Sequence, residues 1–355
     1  MLRTGADVLA DRALLPTSVR AVLGYYAASG VFDYSSLRLK NTVDTAIDGM
    51  IADAFEAIEE DVAGEFGRRD VEFAYDTKLV LPARLTLGYL YRRLEDTRHQ
   101  RAESLTRLVV EALMDGDMRD AINDNEFDDF VVDFETTEDD LRTIATLAQD
   151  RLQDRVDDQF ARFPGAVRER YEWAVDRSER HQDRDPYFRR LLSQAMDGDD
   201  DARDRIVDEY KSAEFDTPPE WLTDTELTLP YMRTQYDRVG VIYDGMVGMY
   251  RGADLPIGDQ FRRSVVLAII GAQIWLDDVT DYHADRQSGQ LTPVTAEYLV
   301  ADSDRQARET VVDVTDQYLS RAREQAIEAD STLTGIAVEY IWRQGDVDHL
   351  PGGGS

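Results

Sequence analysis

The chain has 355 residues, 43% of them apolar, with 72 acidic against 40 basic side chains and a formal net charge of −32. That apolar share can fill one large core or two ordinary ones. The charge argues against nucleic acid or an anionic membrane as partner, because both would repel the protein.

Apolar residues recur every three or four positions, and no segment alternates convincingly as a strand would. The spacing predicts helices over 17–29, 38–65, 78–95, 103–115 and 118–132. The next is 138–161, where Thr137 precedes Glu138, Asp139 and Asp140 in the pattern of a capped, acidic first turn. Further helices are predicted over 165–180, 185–197, 201–213, 229–251, 258–285, 294–301, 304–329 and 331–343. Breaks fall at Phe163-Pro164-Gly165, Asp197-Gly198-Asp199, Thr217-Pro218-Pro219 and Leu255-Pro256-Ile257-Gly258. No long linker or repeat divides the chain. The expected fold is all-α: a single large helical bundle over 71–350, with an N-terminal helical extension over 1–70 and a flexible tail at 351–355.

Composition adds three expectations. Only Lys40, Lys78 and Lys211 are lysines; every other base is Arg. Acid excess with so little Lys predicts a cytoplasmic protein of a halophile, kept hydrated in molar salt. There is no Cys, so disulfides and thiolate chemistry are excluded. The first residues contain no apolar core of a secretory leader, and no run approaches the ~18 apolar residues of a membrane span.

The most informative stretch is Gln273-Ile-Trp-Leu-Asp277-Asp278-Val-Thr-Asp281-Tyr-His-Ala-Asp285, which follows the apolar run 264–272. On one continuous helix, Asp277, Asp281 and Asp285 would stack in a column, about 6 Å per step, with Asp278 beside its top. Like charges at this spacing destabilise a helix, and the macrodipole disfavours acids at its C-terminal end. A divalent cation would resolve both problems. Carboxylate oxygens suit Mg²⁺, which is commonly shared between carboxylates and substrate phosphates. A diphosphate bound this way leaves more readily, because its developing charge is neutralised in place. The plainer alternative is an acidic helix end in an acidic protein.

The spacing Asp277-Asp278-x-x-Asp281-x-x-x-Asp285, followed by Gly289, resembles the second aspartate-rich motif of the trans-isoprenyl diphosphate synthases, within the class I isoprenoid synthase superfamily. Gln273-Ile274 resembles that family's Gln-Ile, displaced upstream by one residue. Arg238-Val239-Gly240 stands where the family has Lys-Thr-Gly, Thr292-Pro293 is similar to its Thr-Tyr-Pro, and Leu333–Arg343 to its last helix. The resemblance covers roughly the last third of the chain and points to a divergent, haloarchaeal-type member. The segment Asp281–Pro293 also resembles squalene and phytoene synthases, with Gln290 where an Arg is expected.

The resemblance implies a Mg²⁺-dependent prenyltransferase that ionises allylic isoprenoid diphosphates, with Asp277, Asp278 and Asp281 catalytic and Asp285 completing the metal set. Asp128, Asp129 and Asp133 are candidates for the family's first metal motif, with three intervening residues instead of two and no Arg-Arg-Gly after them. Lys78 and Pro82 match part of its Gly-Lys-Arg-x-Arg-Pro, where Leu79 and Leu81 replace the arginines. Arg238, Lys78 and Gln273 are the candidate substrate-binding residues; a salt bridge to a neighbouring helix is the other reading of Arg238. Tyr236, Tyr243, Met246, Met249 and Tyr250 repeat on one predicted helix, as cavity lining or as core. The family implies a homodimer or a heteromer with another prenyl synthase. Terpene-cyclase or head-to-head chemistry, a non-catalytic isoprenoid-synthase-like subunit, and a ligand-free acidic scaffold stand as alternatives.

Overall fold

The computed structural model describes residues 15–31, 34–66, 71–73, 79–125, 127, 130–132 and 134–353. Its helices, in chain order, are α1 (Thr17–Ser29), α2 (Tyr34–Glu65), α3 (Leu81–Arg93), α4 (Asp96–Asp124), α5 (Glu138–Phe160), α6 (Gly165–Gln182), α7 (Asp185–Met196) and α8 (Asp200–Ile206). They continue with α9 (Asp224–Leu227), α10 (Met232–Gln235), α11 (Val241–Gly252), α12 (Asp259–Ala272), α13 (Tyr282–Ser288), α14 (Pro293–Val300), α15 (Asp304–Glu328) and α16 (Thr332–Gln344). Three π-helical turns lie among them: Val207–Lys211, Tyr236–Gly240 and Gln273–Asp278. None of the described helices is long and apolar enough to cross a membrane.

The fold is all-α in its architecture, and two compact units divide it. One contains the described parts of Tyr34–Tyr171 with Met246–Pro256. The other contains those of Met1–Asp33, Glu172–Gly245 and Ile257–Ser355.

In the first unit, α4 runs unbroken through Gly116, where the sequence predicts two helices. A mid-helix Gly costs ~1 kcal/mol relative to Ala. The buried face of Leu105, Leu108, Val109, Leu113 and Met118 outweighs it. The helix ends at Asn125, whose left-handed φ of 60° turns its N–H onto the carbonyl of Ala121. Residues 130–132, expected to be helical, are a strand instead. β1 (Val71–Phe73) and β2 (Phe130–Val132) pair antiparallel, with Phe73 and Phe130 opposite each other and their rings 5.3 Å apart. The expected cap of α5 forms: the Thr137 hydroxyl accepts from the Asp140 N–H, and the Asp140 carboxylate accepts from the Thr137 N–H.

In the second unit, α12 is buried on nearly every side, from Phe261 to Gly271. It belongs to a core with Tyr236, Val311, Val314, Tyr318, Leu319, Val338 and Ile341. At Gly271 a Cβ would stand 2.6 Å from Leu319 Cδ2, so only Gly lets α12 approach α15 this closely. The sequence predicts one helix over 258–285. The structure divides it into α12, the turn Gln273–Asp278, a bend at 279–281, and the short α13. The predicted helix over 229–251 is likewise divided by the turn Tyr236–Gly240. Tyr236, Tyr243, Met246, Met249 and Tyr250 of that predicted helix are all buried.

Trp275, inside the Gln273–Asp278 turn, stacks on Trp342 at 5.2 Å between ring centres and donates from its Nε1 to the Trp342 carbonyl at 3.0 Å. A Cβ at Gly345 would lie 2.0 Å from that Nε1. Gly345→Ala is therefore expected to displace the indole and cost about 1–3 kcal/mol through overpacking. Urea unfolding followed by tryptophan fluorescence checks it; an unchanged midpoint and emission maximum would contradict it.

Candidate functional site

A π-helical turn is an α-helix with one residue inserted, so each N–H reaches five residues back. In the turn after α12, Val279 N–H bonds the Ile274 carbonyl at 3.2 Å. The wider turn alters the register of the acids. Asp278, only 2% exposed, points inward, while Asp277 is part-buried and Asp281 is exposed. The straight acid column expected of a regular helix does not form.

A second π turn, Tyr236–Gly240, packs against α12. A Cβ on Gly240 would lie 3.2 Å from Ile270 Cδ1 and 3.3 Å from Val266 Cγ1. This proximity lets Arg238 donate to Asp278 Oδ1 at 3.0 Å. Gln273 adds a longer bond from Nε2 to the same oxygen, 3.4 Å. Asp278 Oδ2 is buried without a hydrogen-bond partner. The salt-bridge reading of Arg238 is thus realised, and its partner is one of the motif acids.

The third π turn, Val207–Lys211, supplies Tyr210, which is fully buried. Its hydroxyl accepts from Gln235 Nε2 at 3.3 Å and donates to the Leu291 carbonyl at 2.8 Å. Burial pushes the phenol above its ordinary range, with Arg238 opposing and Asp278 adding to the shift. All three π turns among the described residues therefore contribute a side chain to one electrostatically coupled cluster: Tyr210, Arg238 and Asp278.

Asp285 lies in α13, which closes at Gly289; there a φ of 77° lets the N–H of Gly289 cap the Asp285 carbonyl. Its carboxyl is pushed up to about 7, first by burial and then by the Asp278 charge, with Asp281 adding while Arg238 and Arg189 oppose. Burial also raises Asp278, against the pull of Arg238. For Arg238, burial pulls the pKa down, but the Asp278 carboxylate and its other neighbours outweigh it and hold the guanidinium charged.

The donor chemistry fits a hard cation. Asp278 Oδ2 lacks a partner, and Asp285 feels an excess of negative charge. No three His, Asp or Glu side chains among the described residues stand close enough to enclose a metal ion. Asp278 and Asp285 are oxygen donors of the kind that hard divalent cations take. Lys78, Asp128, Asp129 and Asp133 lie outside the described residues.

Sequence reasoning missed Tyr210, Arg189 and His181. Arg189 holds Asp185 and donates to the Ser288 carbonyl at 3.0 Å, at the C-terminal end of α13. His181, at the end of α6, is lowered to about 4, chiefly by burial, with Arg238 and Arg184 pushing the same way against Asp237. None has a sequence signal that separates it from the surrounding surface charges.

No family model matches the sequence, and no curated protein matches it. Among solved structures, the chain is similar to octaprenyl pyrophosphate synthase from Helicobacter pylori. The TM-score is 0.51 at 13% identity, over 88% of this chain and 100% of that one. The likeness shows the fold to be that of the all-α isoprenoid synthases.

Two stability predictions follow from this geometry. Arg238→Met leaves Asp278 buried without its cation and is expected to cost about 3–5 kcal/mol. Arg238→Met combined with Asp278→Leu should recover most of that loss in chemical denaturation. For His181, the folded pKa lies below the unfolded 6.5, so the unfolded state binds more protons between pH 6.5 and about 4. Stability is full above pH 6.5 and falls as pH drops through that window, by no more than about 3 kcal/mol. His181→Gln should flatten this part of the stability profile relative to the parent; parallel profiles would contradict the assignment.

Proposed function

We propose that the chain is a Mg²⁺-dependent prenyltransferase that binds an allylic isoprenoid diphosphate at the Arg238–Asp278–Asp285 cluster and promotes loss of its diphosphate. The observation that carries this reading is the buried Asp278 carboxylate, paired to Arg238 through one oxygen and unpartnered at the other, on a prenyl-synthase-like fold. Asp278 and Asp285 would hold the cation, with Asp277 and Asp281 beside them at the more open rim. Bound there, Mg²⁺ supplies Lewis-acid neutralisation of the charge that develops on the departing diphosphate.

The chain's own residues have defined tasks in this scheme. Gln273 and Arg238 fix the Asp278 carboxylate. A planar guanidinium can hold Asp278 on one edge and a phosphoryl oxygen on another. Tyr210 fixes the segment after Gly289 through the Leu291 carbonyl. Lys78 would take part in a second-substrate grip, and Asp128, Asp129 and Asp133 in a further metal set. The proposed protein works in the cytoplasm of a salt-accumulating archaeon, as a homodimer or with a prenyl-synthase partner.

The test is incubation with labelled farnesyl or geranylgeranyl diphosphate in high salt with Mg²⁺, with and without isopentenyl diphosphate. Diphosphate release is expected, and Asp278→Ala should lower it at least 100-fold. Dependence on isopentenyl diphosphate marks chain elongation; release without it marks cyclisation or head-to-head chemistry. Release undiminished in Asp278→Ala would sink the assignment. A non-catalytic relative is the second reading, favoured by the pairing of Arg238 with Asp278; it predicts no turnover of any allylic diphosphate.

Asp285 gives a separate readout. A cation must displace the proton that Asp285 holds below about pH 7. Mg²⁺ affinity measured by calorimetry is expected to rise as pH increases through 7, and Asp285→Asn should remove that dependence.

A further inference from the structure

A cavity of about 500 Å³ opens within the unit that contains α4 and α5, lined by Arg101, Ser104, Arg107, Gln159, Arg162 and Phe163. Its wall holds three arginines and no acid, in a chain where acids outnumber bases by 72 to 40. Arg101, Ser104 and Arg107 come from the first turns of α4. Gln159 comes from the last turn of α5. Arg162 and Phe163 follow on a tight turn, where Arg162 N–H bonds the Gln159 carbonyl at 2.9 Å and Phe163 N–H bonds that of Phe160 at 3.1 Å.

Two acids beside the cavity, Glu111 and Asp53, are already committed. Glu111, fully buried behind the cavity, accepts from Arg155 at 2.6 Å and from Gln159 at 2.5 Å. Arg107 is held by Asp53 at 2.9 Å and stands 4.0 Å from Glu111. Arg101 and Arg162 have no ion pair among the described residues. Elsewhere in this chain arginines regularly meet carboxylates; here two uncompensated guanidinium groups share one concave wall. Arg162 lies just past the C-terminal end of α5 and offsets its dipole, but that role needs no cavity and does not explain Arg101.

We propose that this cavity is a binding site for a small phosphate-bearing anion with more than one charged group, separate from the Asp278 cluster and needing no metal. Guanidinium forks pair with phosphoryl oxygens in bidentate fashion. Arg101 and Arg107 are separated by about 9 Å along the helix rise, which suits an anion with more than one charged group. The Ser104 hydroxyl adds a neutral donor, and the Phe163 ring gives an apolar surface for an organic portion. A volume of this size falls within the ordinary range of small-ligand pockets.

The test uses the full chain and inorganic pyrophosphate as probe, by calorimetry in EDTA at two KCl concentrations. One site per chain is expected, weakening as salt rises. Arg101→Gln with Arg162→Gln should lower its affinity at least tenfold. Both side chains are exposed, so the thermal midpoint should stay within a degree or two. The paired Arg238→Met/Asp278→Leu variant should bind as the parent does. Absence of binding, equal affinity in the Arg101/Arg162 variant, or loss confined to the Arg238/Asp278 variant would each overturn the proposal. Inorganic phosphate is the second arm: binding at least as tight as pyrophosphate would overturn the requirement for more than one charged group.

Discussion

Arg238 and Asp278 meet from two segments that both abandon regular α-helical winding. An α-helix repeats every 3.6 residues, and each π turn inserts one more. Arg238 faces α12 from the turn at 236–240, where a Cβ on Gly240 would crowd Ile270 Cδ1 at 3.2 Å. The insertion at 273–278 rotates Asp278 inward and leaves Asp281 outside. The rest of the site feels this pair on top of burial: the Asp278 charge adds to the rise at Asp285, Tyr210 is buried beside both charges, and Arg238 adds to the lowering of His181. The core fixes the pair in turn. Gly271 seats α12 on α15, and Trp275, stacked on Trp342, holds the turn in which Asp278 sits.

The buried carboxylates give the site its contrast. Asp244 is met by Arg262 and the Tyr236 hydroxyl, Glu297 by Lys211 and Tyr231, and Glu339 by Arg323 at 2.6 Å. These are structural pairs, in which each desolvated charge has its counter-charge. Glu226 Oε1 and Asp278 Oδ2 are the two carboxylate oxygens left unpartnered among the described buried side chains. Glu226 belongs to a helix cap, with its other oxygen on the Thr223 N–H at 2.8 Å and 3.4 Å from Arg263 Nε. Asp278 has Asp281 and Asp285 beside it. A lone oxygen with surplus negative charge around it is the electrostatic condition a cation relieves, and a cap is not.

Much of the helical scaffold was legible because buried faces at three- and four-residue spacing leave a periodic trace. The helices over 17–29, 138–161, 304–329 and 331–343 lie within a residue of α1, α5, α15 and α16. Thr137 signals a cap that the structure forms. The strands were not legible, since three residues such as Val71–Phe73 are too few to show alternation. Nor were the π turns, because one inserted residue changes the register without changing which residues are apolar. The acids at 277–285 stood out through spacing, yet composition gave no means of separating Asp278 from 71 other acids, and only packing shows it to be buried. Arg189 and His181 are drawn from surface-like sequence and become informative only when α6 and α7 bring them to the cluster.

One trace of the π turn does survive in the sequence. Gln273-Ile274 stands one residue farther upstream of the acids than in the family it resembles. On a regular helix that displacement would rotate Gln273 by about 100°, away from the face of Asp278. The turn over 273–278 absorbs one residue, and Gln273 still reaches Asp278 Oδ1 at 3.4 Å. Packing tolerates exchange of one apolar side chain for another, so a fold can persist at 13% identity. A polar contact depends on register and cannot drift in the same way. In this chain the extra residue of the π turn offsets the one-residue displacement, so Gln273 stays on the face of Asp278.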